Sequence, residues 1–115
     1  MKILSHLKPT LHPSTLDIAW VAGIYEGEGS CKDCTVGARS FSLTISQSDV
    51  WILKKIRDLF GGSITGGRTR VHEWIICGPQ ARGFAMTIYK FLSPRRKEII
   101  KKGLKVGNGF RLTWD

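Results

Sequence analysis

Residues 20–29 read Trp20-Val21-Ala22-Gly23-Ile24-Tyr25-Glu26-Gly27-Glu28-Gly29. With Ala19 just before them, Gly23 and Gly27 recur every four positions, so on a helix these three form one smooth stripe that a second backbone can approach closely. Each internal glycine costs about 1 kcal/mol of helix propensity relative to alanine, so a compensating contact is expected. Tight packing within one chain is one such contact. The simpler one is the same stripe of an identical chain, packed about a two-fold axis, with Ala19, Trp20, Gly23 and Gly27 in the interface.

Two helices crossing at this stripe bring their C-terminal ends together and deliver Glu28 of each chain to nearly one place. Helix C-termini carry partial negative charge, which opposes placing carboxylates there. The arrangement therefore calls for cations. Hard divalent ions such as Mg²⁺ take oxygen ligands and keep several waters, leaving room for phosphate oxygens and a nucleophilic water. A metal-dependent phosphodiesterase site follows, with Glu28 at its centre.

Working outward, Ser14 with Asp17 three residues on reads as a capping box opening a helix over Leu16 to Glu26. From Arg39 to Gln47 the period changes to strict alternation. Arg39, Phe41, Leu43, Ile45 and Gln47 fall on one side, and the small hydroxyl residues Ser40, Ser42, Thr44 and Ser46 on the other. Ser30 to Ala38 is the natural partner strand, turning near Gly37. Ser48 or Asp49 caps a second helix through Phe60, stopped by Gly61 and Gly62. A second hairpin spans Ser63 to Cys77, a third helix Gln80 to Leu92, and a short basic helix Arg95 to Leu104 with Pro94 in its first turn. The order is α-β-β-α-β-β-α-α: an α+β fold whose two hairpins form an antiparallel sheet backed by helices. Trp20, Trp51 and Trp74 are expected in the core.

The chain of 115 residues suits a single domain, with 1–13 as an N-terminal extension and 105–115 as a C-terminal tail. Eighteen Lys and Arg against nine Asp and Glu give a net charge of +9, which favours a polyanionic partner. No apolar run approaches the roughly 20 residues of a membrane span, and residues 1–13 hold no continuous apolar stretch of the secretory kind. The three cysteines, Cys31, Cys34 and Cys77, are an odd set that does not suit a disulfide framework. A non-secreted, intracellular protein in a reducing compartment is expected. Cys31-Lys32-Asp33-Cys34 with Cys77 and His72 offers a zinc alternative, but a single CxxC on a strand points its two side chains to opposite faces.

Val21 to Gly29 resembles the LAGLIDADG motif of homing endonucleases, with both acids as Glu, and the α-β-β-α-β-β-α-α order resembles that family's fold over nearly the whole chain. A single copy of the motif implies a homodimer acting on a pseudo-palindromic site in double-stranded DNA. The resemblance further implies an intron-encoded or otherwise mobile nuclease that uses Mg²⁺ or another divalent cation and cuts across the minor groove to leave short 3′ overhangs. It implies that Glu28 and the main-chain carbonyl of Gly27 bind metal, with Glu26 less directly involved. Gln47 matches a polar residue near the scissile phosphate, and Arg95 or Lys97 the basic residue that stabilises charge there. The basic residue that some relatives carry early in the second helix has no counterpart in Val50-Trp51-Ile52.

The family lays the face of the sheet opposite the helices into the major groove. Ser40, Ser42, Thr44 and Ser46 suit that face as weak readers of base edges, and Arg68 and Arg70, with Glu73 and Lys32, are candidates for stronger readout. Lys54, Lys55, Arg57, Arg96, Lys101 and Lys102 suit phosphates or solvent. An RNA maturase, or a DNA-binding protein without cleavage, is the alternative on the same sheet and charge.

Overall fold

The computed structural model describes residues 12–33, 41–66 and 70–107. Along the chain run α1 (Thr15–Glu28), β1 (Gly29–Asp33), β2 (Phe41–Gln47), α2 (Val50–Phe60), β3 (Ser63–Thr65), β4 (His72–Cys77), α3 (Gly78–Ile88), a 3-10 turn (Tyr89–Phe91) and α4 (Pro94–Gly107). The expected α+β order holds. The four strands form one antiparallel sheet in the order β1-β2-β4-β3.

Local chemistry sets the boundaries. Ser14 and Asp17 form the capping box at the start of α1: the Asp17 amide donates to Ser14 Oγ at 3.1 Å and the Ser14 amide to Asp17 Oδ2 at 2.9 Å. Asp49 caps α2 by accepting from the Trp51 amide at 3.0 Å. Gly61 and Gly62, both at positive φ, end α2 and turn the chain toward β3, where the Gly61 carbonyl accepts from the buried Trp74 indole at 2.8 Å.

The third helix begins earlier than its spacing predicts, at Gly78 with Pro79 in its first turn, and ends at Ile88 instead of Leu92. The chain tightens through the 3-10 turn and is extended by Leu92, ahead of the Ser93-Pro94 step that starts α4. Helix α4 continues to Gly107, so residues 105–107, assigned to the tail by sequence, extend this helix.

The alternation on β2 divides the sheet. Phe41, Leu43 and Ile45 are fully buried on the helix side, joined by Trp74 and Ile76 from β4. Val21, Ala22 and Tyr25 of α1, Phe84 and Ile88 of α3 and Ile100 of α4 close over them. Phe84 is the hub of the aromatic packing, edge-on to Tyr25, Phe60 and Trp74 with centroids 5.1 to 6.5 Å apart. Gly103 brings α4 against the sheet, since a Cβ there would lie 2.6 Å from Cys31 Sγ and 3.1 Å from the Phe41 ring.

Of the three tryptophans expected in the core, only Trp51 departs from it. Trp74 is fully buried, Trp20 is half-buried, and Trp51 is 61% exposed. Trp51 lies at the first turn of α2, one step off the Ile52/Leu53/Ile56 stripe, and it meets Lys55, whose Nζ stands 4.5 Å from the Trp20 ring centre and 5.7 Å from that of Trp51. Lys55 is thus flanked by two indoles. Among the described residues no helix is long and apolar enough to cross a membrane.

Candidate catalytic and DNA-facing site

Helix α1 passes into β1 without a loop: Glu28 is its last residue and Gly29, already extended, is its cap. Only glycine fits at 29, because a Cβ would collide with the Tyr25 ring. Gly29 stands opposite Ile45 in the β1/β2 register, which places Glu28 at the end of the sheet where β2 finishes with Ser46 and Gln47. Residues 28 and 47, distant in sequence, are thereby brought to one edge. Glu28 is exposed and Gln47 half-buried.

The end of α1 carries two acids and no basic residue of its own, a combination that the helix dipole disfavours. The compensation comes from α4. Arg96 donates through Nε to the Glu26 carbonyl at 3.1 Å and through Nη1 to the Gly29 carbonyl at 2.8 Å, with its guanidinium carbon 5.4 Å from the Tyr25 ring centre. In return, Glu26 Oε1 accepts from the Ser93 amide at 2.9 Å at the start of α4. The hydrogen bonds from Ser93 hold the Glu26 carboxyl below the usual carboxylate range, helped by Arg96 and Arg95. Burial pushes the Tyr25 hydroxyl well above the usual tyrosine value, and that hydroxyl has no hydrogen-bond partner.

Docking the first turn of α4 onto the last turn of α1 carries Arg95 and Lys97 to the same end of the molecule as Glu28. They differ there. Lys97 folds back so that its Nζ lies 5.4 Å from the Tyr89 ring centre, whereas Arg95 is exposed and close enough to Glu26 to lower its pKa. Arg96, which sequence reasoning grouped with surface cations for phosphate or solvent, is instead committed to main-chain carbonyls. Its partners lie 67 and 70 positions away, so no local pattern signals them.

Among the described residues nothing covers the small-residue stripe of α1. Ala19, Gly23 and Gly27 are exposed, and a Cβ built at Gly23 or Gly27 would meet nothing within 4 Å. Packing against the described residues therefore does not account for either glycine. Leu16, 81% exposed one turn earlier, extends the apolar surface.

On the face of the sheet away from the helices, register groups Ser30, Ser42, Thr44, Ser46, Glu73, Ile75 and Cys77. Ser42 and Thr44 take the expected side but are only 3% and 2% exposed, which corrects their reading as open contact residues. They are small side chains on a central strand, opposite Cys77 and Ile75 of β4. Ser46 and Glu73 are half-buried and Arg70 is exposed. Ser40 and Arg68 lie outside the described residues, as does the side chain of Lys32.

The described members of the zinc alternative are not brought together. Cys31 shares the helix side with Leu43 and Ile76 and packs on Gly103, while Cys77 is across the sheet beside Ser42; Cys34 lies outside the described residues. Among the described residues no three His, Cys, Asp or Glu side chains gather to hold a metal. Glu28 presents an exposed carboxylate at this end of the chain.

No protein-family model matches the chain, and no curated protein does. Solved structures do. The homing endonuclease I-CvuI, in complex with the I-CreI target in the presence of Mg with the DNA not cleaved, superposes with a TM-score of 0.68 at 20% identity, over 78% of this chain and 64% of that one. The fold is that of the homing endonucleases. The archaeal intron-encoded homing endonuclease I-Vdi141I, complexed with DNA, matches at a TM-score of 0.59 and 16% identity over 74% of this chain and 63% of that one. I-TnaI, also a homing endonuclease, matches at 0.57 and 22% over 74% and 67%. The chain thus spans a little under two thirds of the length of I-CvuI and I-Vdi141I.

Proposed function

We propose that this chain is a site-specific DNA endonuclease of the single-motif LAGLIDADG type, dependent on Mg²⁺ or a similar divalent ion and working as a homodimer on a pseudo-palindromic double-stranded site. The observation that carries this reading is the uncovered Ala19/Gly23/Gly27 stripe ending at exposed Glu28. Two copies joined along it place two carboxylates side by side above a phosphodiester. The homing-endonuclease fold and the net charge of +9 support the same reading.

Glu28 and the Gly27 carbonyl would hold the ion; both are hard oxygen donors, as such ions require. When bound, a divalent cation lowers the pKa of a coordinated water and offsets charge on the phosphate. The chain's own groups do the rest. Gln47, at the same edge, holds water by hydrogen bonding, and Arg95, in preference to Lys97, stabilises negative charge on the reacting phosphate because its guanidinium is exposed. The sheet face with Ser46, Arg70 and Glu73 lies against the major groove. Arg70 and Arg68 supply the strongest base contacts, with Lys32 and Ser40 at the margin.

A randomised duplex library with Mg²⁺ tests the proposal. Enriched cut sites with two-fold symmetry are expected, and Glu28→Gln is expected to abolish cutting while DNA affinity persists. A folded protein that binds nucleic acid equally in both forms and never cuts it fits a maturase or a non-cleaving binder instead.

A further inference from the structure

Deepening that endonuclease reading, on which it rests, we propose that Arg96 is a positioning residue that fixes the Gly27-Glu28 backbone for cation binding, by clamping the carbonyls on either side of it.

The two Arg96 hydrogen bonds go to Glu26 and Gly29, so they bracket the Gly27 carbonyl and the Glu28 side chain. This is the point where the backbone leaves helical geometry for the extended Gly29, and the last carbonyls of a helix have no partner further along it. An end of that kind frays unless something holds it. A guanidinium is suited to the task because its donors form a planar fork that reaches two oxygens at once. Here the fork is itself restrained: the Tyr25 ring lies against it, and Ser93 Oγ accepts from the Arg96 amide at 3.3 Å.

Glu26 closes the device from the other side through its bond to the Ser93 amide. Helix α4 therefore cannot slide along α1 without breaking bonds in both directions. The guanidinium also places positive charge beside a helix end that carries two acids and no basic residue of its own. The Arg96 guanidinium is engaged by the Glu26 and Gly29 carbonyls. It acts on residues 27 and 28 through the backbone, as outer groups around a metal site orient the ligands themselves.

The test compares the intact protein with Arg96→Met, which keeps the packing on Tyr25 but loses both bonds, and Arg96→Lys, which can restore one. Three quantities are read: amide hydrogen exchange over residues 26–30, the Mg²⁺ concentration that half-saturates cleavage, and DNA affinity without metal. Arg96→Met is expected to exchange faster at 26–30, to need about 10-fold more Mg²⁺ or beyond, and to bind DNA as before. Arg96→Lys should recover part of both losses. A merely structural role would lower the melting temperature and leave the Mg²⁺ requirement of the folded fraction unchanged, and that result overturns the proposal. Unchanged exchange at 26–30 in Arg96→Met overturns it too, whatever the cleavage. If the unaltered protein cuts nothing with Mg²⁺, the endonuclease reading falls, while the exchange data still decide whether Arg96 holds this backbone.

Discussion

Glu26 and Ser93 are joined by a 2.9 Å hydrogen bond from the Ser93 amide to the Glu26 carboxylate, across 67 residues of sequence. It satisfies the amide of Ser93 ahead of α4 with a side chain from the end of α1, in the place that Glu or Gln at the third helical position serves in a capping box, while Ser93 Oγ accepts from the Arg96 amide. Replacing Glu26 by Ala leaves that amide unmet and is expected to lower stability by about 0.5 to 2 kcal/mol, the usual cost of a lost cap. Urea unfolding measures it; a change within error would mean that the bond contributes nothing in solution.

The uncovered glycines separate the two explanations of the stripe. Because a Cβ at Gly23 meets nothing among the described residues, Gly23→Ala should fold normally and can gain up to about 1 kcal/mol of helix propensity. Gly23→Leu should also fold, yet sediment as a monomer where the parent is a dimer. Sedimentation velocity decides, and a monomeric parent would remove the stripe's assigned purpose.

Trp74 anchors the turn after α2 through its indole bond to the Gly61 carbonyl at 2.8 Å. Trp74→Phe keeps an aromatic ring against Phe84 but leaves a buried carbonyl unpaired, at an expected cost of about 1 to 3 kcal/mol. Thermal unfolding followed by circular dichroism checks it, and an unchanged midpoint would count against the bond.

Acid should weaken the capping box of α1. The Asp17 carboxyl is held below its ordinary value of 3.8, first by the Ser14 amide, then by the Ser14 hydroxyl, and to a smaller degree by Lys55. A carboxyl depressed in the folded state adds stability that is present above the unfolded value and lost as pH falls through the folded one. The deficit of Asp17→Asn relative to the parent should therefore be full near neutrality and shrink below about pH 4. Paired denaturant titrations across that window would reveal a flat difference if the box is inert.

Base readout should follow exposure. Thr44, 2% exposed, can become Val without altering the preferred site, whereas Arg70→Ala should relax preference at one base pair per half-site by about 1 to 3 kcal/mol. Selection of cut or bound sequences compares them; a shifted preference for Thr44→Val would mean that the sheet face opens on binding.

The order and kind of the elements were legible because they depend on local terms. A Ser14/Asp17 box, a period of two over Phe41 to Gln47 and a Gly61-Gly62 stop each act within a few residues, and hydrophobic spacing reports which side of an element is buried. The same periodicity assigned Ser42 and Thr44 to the correct side yet misjudged their access. Alternation records direction and not depth, and depth depends on what the flanking strands carry. Trp51 was misplaced for a related reason, since apolar character alone does not say which side of α2 meets the core.

By itself, the sequence determined the α+β architecture, the smooth stripe on α1 and the acid at its end, since each is a matter of residue type at fixed spacing. The tertiary structure alone decided that no described residue covers the stripe, that Lys97 turns back to Tyr89 while Arg95 is exposed, and that Arg96 and Glu26 tie α1 to α4. Those outcomes depend on hydrogen bonds and ring contacts between segments far apart along the chain, whose approach is set by how the helices settle on the sheet and leaves no periodic trace in the order of amino acids.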